Sequence, residues 1–159
     1  MPATKTVRVG AMTLRIKREQ KQAQAFYELL FGLCDRVLPA CGCDLVLLPE
    51  RSALRPEDRQ PLDGPHFQRF AALARKHRMY LLAPLAELDR GVCYNTHAVI
   101  SPAGQLAHAY RKVHLAPGEE KNAQPGQRFS AFDLPWFKAG LMICFDNHFP
   151  ESSRCLALA

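Results

Sequence analysis

Residues 44–50, DLVLLPE, form a short, continuously apolar run that ends in a proline and an acid. A run of this length without polar alternation is typical of a strand buried on both faces of a sheet. Glu50 would then lie at the carboxyl end of that strand. In residues 20–38, apolar side chains recur at steps of three and four, which predicts a helix that Pro39 and Gly42 end.

The same patterns assign elements to the rest of the chain. A second helix is predicted from Pro65, with Asp63 as its cap, and a third over residues 151–159. Further apolar or β-branched runs predict strands at residues 6–16, 79–85, 93–101, 105–111, 129–134 and 139–145. The order β-α-β-α-β-β-β-β-β-α predicts a layered α/β or α+β sheet with helices covering one face.

The composition is that of an ordinary globular domain. The chain has 159 residues, of which 48% are hydrophobic and 23% charged, and this balance argues against disorder. Twenty-one basic and 15 acidic residues give a net charge of +6, but the basic residues are spread along the chain, so we expect no nucleic-acid partner. No apolar run approaches the roughly 18 residues of a membrane span. We therefore expect no membrane partner and a cytoplasmic location.

The six cysteines are expected to be reduced thiols, because the sequence shows no secretory signal. Cys41 and Cys43 form a Cys-x-Cys pair, but the chain has no second matching pair of the kind that zinc sites use. Four scattered histidines also lack the spacing of metal ligands: His66, His77, His97 and His108. The sequence therefore predicts no metal site.

Three chemically active residues follow predicted strands. Glu50, Lys112 and Cys144 each lie where an apolar strand ends or is about to end, and α/β sheets generally place their sites at such strand ends. A thiolate can attack an electrophilic carbon, a carboxylate can move the proton, and an ammonium can stabilise an oxyanion. Taken singly, the same residues could be a core cysteine, a surface lysine and a loop acid. Their spacing alone does not establish contact.

Three motifs in a fixed order surround these residues: LVLLPE at 45–50, YRKVHL at 110–115 and GLMICFDNHFPE at 140–151. The segment YNT at 94–96 opens a predicted strand between the first two motifs. In these words the chain resembles the nitrilase, or carbon–nitrogen hydrolase, superfamily. The resemblance extends over residues 7–159, and the residues after the cysteine place it in the amidase-like branch.

The resemblance implies a nitrilase-type α-β-β-α sandwich and an amidase-like reaction. Cys144 would be the nucleophile that forms a thioester, Glu50 the general base and acid, and Lys112 the group that stabilises the tetrahedral intermediates. The substrate would be a small amide or carbamoyl compound with a non-peptide C–N bond. Its hydrolysis would give an acid plus ammonia or an amine. No metal or organic cofactor is expected.

Other positions take expected roles from the same resemblance. Glu119 would assist catalysis, although Glu120 is adjacent and could occupy that place instead. The N–H of Phe145 would be the second oxyanion donor. Asn147 and His148 could face the substrate or stabilise the turn. Two further residues are expected to be structural: Asp146, which would orient the turn, and His114.

Members of this superfamily continue well beyond the position of Ala159. We therefore expect residues 1–159 to be a single carbon–nitrogen hydrolase domain that is C-terminally truncated, and a homo-oligomer in the full-length form. The alternative to an active hydrolase is a catalytically incompetent fragment or assembly remnant of such an enzyme. Which amide is hydrolysed does not follow from these motifs.

Overall fold

The computed structural model describes residues 6–14, 23–51 and 54–159. Short 3-10 turns occur at Pro56–Asp58, Glu119–Lys121 and Cys144–His148. The order of helices and strands is the predicted one. The helices are α1 (Ala23–Cys41), α2 (Pro65–His77) and α3 (Pro150–Leu158). The strands are β1 (Val9–Ala11), β2 (Leu45–Leu47), β3 (Tyr80–Asp89), β4 (Val92–Ile100), β5 (Leu106–Arg111), β6 (Ala131–Asp133) and β7 (Lys138–Gly140).

Five strands form the main sheet, in the order β1-β2-β3-β4-β5. The pairs β1–β2 and β2–β3 are parallel and are joined through α1 and α2. The later pairs β3–β4 and β4–β5 are antiparallel hairpins. Strands β6 and β7 form a separate two-stranded antiparallel sheet. The loops after β2 and β5 therefore leave the same sheet; the first contains Glu50, and the second contains Lys112 and Glu119.

The main sheet buries both of its faces. On one face, α1 and α2 pack their apolar stripes against it, with Phe31 and Phe70 in contact at a ring separation of 4.6 Å. On the other face, Leu82 and Val99 pack against Phe132 of the small sheet. Burying both faces is what the continuously apolar β2 sequence required.

Helix α3 lies against the outer side of the small sheet. Leu156 approaches Gly140 so closely that a Cβ there would lie 2.6 Å from the leucine side chain, while the adjacent Ala139 packs between the sheets. The layers thus follow one another as helices, sheet, sheet and helix, in a mixed α/β fold. Over the ranges that the structure describes, no helix has both the length and the apolar character of a membrane span.

Two helix boundaries differ from the prediction. Helix α1 continues through Pro39 to Cys41, because a proline in the last turn removes only one hydrogen bond of the helix. Gly42, with φ of +57°, then ends it. The predicted cap Asp63 is wrong: Gly64 precedes α2 without a side-chain cap bond, and the N–H of His66 instead donates to the side chain of Gln60 at 2.9 Å.

The predicted strand at 139–145 is present but much shorter, and it begins one residue earlier. Strand β7 ends at Gly140, and Cys144 begins a 3-10 turn. The carboxylate of Asp146 accepts the N–H of Ile143 at 2.9 Å, and this bond turns the backbone where an apolar run alone predicts a strand. The predicted first strand is shorter, Val9–Ala11; residues 15–22, within the predicted first strand and first helix, lie outside the described residues.

Candidate active site

Lys112 follows β5 directly and lies at the centre of the polar cluster. Its side chain is completely buried, and Nζ donates to Glu50 Oε1 at 2.9 Å and to Glu119 Oε1 at 3.0 Å, with Glu119 Oε2 also 2.7 Å away. The main chain of Lys112 is fixed on both sides, since its N–H donates to the carbonyl of Asn95 and its carbonyl accepts from Gly126. The ammonium is therefore held between two carboxylates.

Charge partners determine the protonation of this lysine. Burial lowers the pKa of Lys112, but hydrogen bonds to Glu119 and Glu50 outweigh that effect, and the net pKa is raised above the ordinary lysine value. The ammonium thus stays charged throughout the neutral range. A permanent cation of this kind can stabilise an oxyanion and cannot serve as a proton donor at neutral pH.

Glu50 lies in the loop after β2. Its Oε1 accepts two donors, Lys112 Nζ at 2.9 Å and Asn95 Nδ2 at 2.8 Å. The next residue, Arg51, is buried and donates from two nitrogens to Asp58 Oδ2 at 2.7 and 3.0 Å. This buried ion pair fixes the loop immediately after the carboxylate.

Glu119, and not Glu120, reaches the lysine. Glu119 Oε2 also accepts the N–H of Ala116 at 2.8 Å, which closes the loop around the 3-10 turn at Glu119–Lys121. Glu120 turns outward and accepts the N–H of Gly118 at 2.7 Å. The sequence left the two adjacent acids as alternatives, and their contacts show that Glu119 is the one beside Lys112.

Cys144 lies across a cavity from this cluster. The cavity has a volume of about 180 Å³, and Glu50, His97 and Cys144 line it together with apolar side chains, among them Leu82 and Met142. The thiol is exposed, and the residue has a positive φ of 47°, a region that non-glycine residues seldom adopt. The thiol is thus presented at a strained turn.

The surroundings of Cys144 set the acidity of its thiol. Burial raises its pKa, the charge of Glu50 raises it further, and the charge of Lys112 acts in the opposite direction; the net pKa is above the ordinary thiol value. Because the thiolate is the reactive form, this cysteine needs a base at neutral pH. Glu50, which lines the same cavity, is the carboxylate positioned to act as that base.

Asp146 supports the turn from below. It is fully buried and accepts the hydroxyl of Tyr110 at 2.7 Å and the N–H groups of Ile143 and His114 at 2.9 and 2.7 Å. His114 also places Nδ1 3.1 Å from this carboxylate and stacks on Phe149. These contacts agree with the structural roles expected for Asp146 and His114.

The three remaining predicted residues lie within the turn and do not line the cavity: Phe145, Asn147 and His148. The side chain of Asn147 donates to the carbonyl of Cys144 at 3.1 Å, which stabilises the turn. His148 lies against the ring of Phe145 at 4.7 Å. Their contacts are local, and the structure does not bring them to the Glu50–Lys112–Glu119 cluster.

Two site residues were missed by the sequence analysis. Asn95 and His97 lie on β4, two residues apart and thus on one face, and they contact or line the site. Burial lowers the pKa of His97, an effect that its hydrogen bond to the carbonyl of Leu48 partly offsets. Their signal was polarity: they belong to a run of three polar residues, 95–97, at buried positions of the strand.

Residues 8–159 match the model of the family described as Carbon-nitrogen hydrolase. The chain belongs to this family. The omega-amidase NIT2 of Homo sapiens is 36% identical over 132 residues, which are 73% of this carbon–nitrogen hydrolase chain and 48% of that protein. An (R)-stereoselective amidase of Pseudomonas sp is 33% identical over 121 residues, or 72% of this chain and 44% of that protein.

The fold is also similar to that of a solved carbon-nitrogen hydrolase structure. The crystal structure of a carbon-nitrogen hydrolase from Helicobacter pylori G27 superposes with a TM-score of 0.75 at 27% identity, and the match covers 96% of this chain and 56% of that chain. This carbon–nitrogen hydrolase chain thus spans about half the length of the curated relatives it matches.

Proposed function

We propose that this chain contains the catalytic centre of an enzyme that hydrolyses a non-peptide C–N bond in a small amide or carbamoyl compound. One observation carries the proposal: a buried ammonium is held by two carboxylates, and one of these, Glu50, lines the same small cavity as the exposed thiol of Cys144. Family membership and the amidase relatives support amide hydrolysis as the general reaction.

In the first half of the reaction, Glu50 accepts the thiol proton of Cys144, and the thiolate attacks the carbonyl carbon, forming a C–S bond. The oxyanion that develops is stabilised by the Lys112 ammonium and the N–H of Phe145. Protonated Glu50 gives its proton to the leaving nitrogen, and the C–N bond breaks to release ammonia or an amine. A thioester on Cys144 remains.

In the second half, Glu50 removes a proton from a water molecule, and the hydroxide attacks the thioester carbon. The C–S bond breaks, the carboxylic acid leaves, and the proton held by Glu50 returns to the sulfur. Glu119 keeps its place beside Lys112 throughout, so the ammonium retains a counter-charge while Glu50 is protonated. No oxidant, reductant or cofactor enters this cycle.

The experiment compares two exposed cysteines. Cys144→Ala and the matched control Cys155→Ala both remove an exposed thiol. Ammonia release from butyramide and from succinamate, an amide with a terminal carboxylate, is measured for each. We expect Cys144→Ala to lose at least about 10³-fold in rate, because the covalent step is gone, and Cys155→Ala to retain wild-type rates. Full turnover by Cys144→Ala would refute the mechanism.

A second candidate is a folded but inactive domain, in which residues 1–159 form one incomplete carbon–nitrogen hydrolase unit. Its support is the 48% coverage of the human relative together with the exposed apolar side chains of Val9, Phe137 and Leu158, since exposed apolar surface favours association. Size-exclusion chromatography with parallel ammonia assays separates the two. A discrete species with turnover supports the enzyme, and a silent or aggregated one supports the fragment.

A further inference from the structure

Asn95 joins the two charged residues at the centre of the site. Its side-chain Nδ2 donates to Glu50 Oε1 at 2.8 Å, and its main-chain carbonyl accepts the N–H of Lys112 at 2.8 Å. Asn95 itself lies inside β4, the central partner of β3 and β5. One residue on the rigid sheet is thus bonded to the loop after β2 and to the loop after β5.

Asn95 is a poor choice for stability alone. It is 1% exposed, and among the described residues no group donates to its Oδ1. A buried carbonyl oxygen without a donor is destabilising, whereas an apolar side chain of the same shape would carry no such penalty. The bond to Glu50 is what the amide contributes at this position.

The two donors to Glu50 meet on one oxygen. Lys112 Nζ and Asn95 Nδ2 both donate to Oε1, and no other N–H group in the parts of the chain that the structure describes donates to this carboxylate. A carboxylate held through one oxygen keeps a fixed rotation about its last side-chain bond. The other oxygen is then available to accept a proton from the thiol of Cys144, which lines the same cavity.

We propose that Asn95 is a positioning residue that, together with Lys112, fixes the Glu50 carboxylate by Oε1 and leaves Oε2 as the oxygen that exchanges the proton with Cys144 and with water. This inference rests on the proposed hydrolase function. It assigns separate tasks to the two oxygens of one carboxylate: Oε1 is structural and Oε2 is reactive.

Two near-isosteric substitutions test the assignment. In Asn95→Leu the donor is lost and no charge is added. In Asn95→Asp the new carboxyl can donate to Oε1 only while it is protonated, and once ionised it repels Glu50 and competes for Lys112. The control is Thr96→Val, which removes one buried hydrogen bond of 2.6 Å to Glu87 from the adjacent position on the same strand.

Three measurements are made on each purified variant: kcat for an amide between pH 5 and 9, the rate of Cys144 alkylation by iodoacetamide over the same range, and the urea midpoint of unfolding. We expect Asn95→Leu to lose roughly 10²-fold in kcat at every pH, because misplacement of a reacting group costs about that much. Its urea midpoint should equal or exceed that of wild type. If Asn95 had only a structural role, Asn95→Leu would keep its kcat and lower the urea midpoint.

Asn95→Asp gives the diagnostic pH profile. Its kcat should lie within a few-fold of wild type at pH 5 and fall progressively as the pH rises, and its Cys144 alkylation should slow over the same range, because added negative charge disfavours the thiolate. Thr96→Val should keep the wild-type shape of both profiles. If both Asn95 variants behave like Thr96→Val, the inference is overturned.

The alkylation assay separates this inference from the proposed function. If wild type hydrolyses no amide but alkylation of Asn95→Asp still slows with pH relative to wild type, the hydrolase proposal fails while the positioning of the carboxylate stands. If wild type turns over and the Asn95 variants keep its profiles, the function stands and the positioning role fails.

Discussion

Replacing Lys112 with Met should destabilise the fold strongly, because it leaves the carboxylates of Glu50 and Glu119 without their cation. The ammonium is wholly buried, its distances to Glu50 and Glu119 are 2.9 and 2.7 Å, and the two acid side chains are only 19% and 15% exposed. Removing one member of a buried ion pair costs roughly 3–5 kcal/mol. With an m-value of about 2 kcal/mol/M, a loss of about 4 kcal/mol lowers the urea midpoint by roughly 2 M.

The pH dependence of this contribution follows from the lysine. Because the folded-state pKa of Lys112 is raised, the stability that its ammonium provides is complete below the ordinary lysine value of about 10.4. It is lost only as the pH rises through the raised folded value. Urea titrations of wild type and Lys112→Met at pH 7 therefore measure the whole effect.

An exposed ion pair serves as the matched control, because it loses the same lysine charge without the burial. Lys76 has Nζ 3.8 Å from Asp35, and both side chains are more than half exposed, so Lys76→Met should cost less than about 1 kcal/mol. Adding Glu119→Gln to Lys112→Met should recover part of the loss, because one stranded carboxylate is removed. A loss below about 1 kcal/mol for Lys112→Met, equal to that of Lys76→Met, would refute the reasoning.

Two further predictions concern the thiol and the loop beside the lysine. Glu50→Gln removes a charge that raises the pKa of Cys144, so iodoacetamide should label that thiol faster at pH 7, while amide hydrolysis falls by roughly 10²–10⁴-fold; slower labelling would show that the charge of Glu50 does not disfavour the thiolate. Gly126→Ala would drive a Cβ into the carbonyl of Arg111 and should cost about 1–3 kcal/mol in urea unfolding. Gly32→Ala in α1 would place a Cβ 3.7 Å from the side chain of Arg36, an ordinary contact distance, and should instead stabilise by about 0.5–1 kcal/mol.

Hydrophobic pattern was sufficient for the elements whose two faces are buried. Strand β2 lies within the run at 44–50, and the order of helices and strands follows from where the pattern changes period. The hydrophobic pattern did not predict the full length of strand β3. The strand was predicted to end at Leu85 and continues to Asp89. The extension alternates apolar and acidic residues, and Arg111 of β5 bonds both acids, Glu87 and Asp89. A contact between distant strands is not contained in the local sequence.

The candidate site shows the same division. The motifs located Glu50, Lys112 and Cys144, but spacing could not decide between Glu119 and its neighbour, since either could reach a lysine from a flexible loop. The bond from Ala116 to Glu119 decides it. Asn95 was missed because a polar residue in an apolar strand has no assignable partner until the strand is paired with its neighbours.

The reactive groups are held by directional polar contacts more than by apolar packing. Apolar burial is non-directional and leaves the rotation of a carboxylate or the tilt of a turn undefined, whereas a proton transfer needs both. The strained backbone of Cys144, with φ of 47°, costs on the order of 1–3 kcal/mol, and it persists because Asp146 accepts bonds from Ile143, His114 and Tyr110. Since Tyr110 lies on β5 two residues before Lys112, the strand that places the ammonium also anchors the turn that presents the thiol. The separation between the Lys112 ammonium and the Cys144 thiol is therefore set through β5, which is followed directly by the lysine and bonded to the turn through Tyr110 and Asp146.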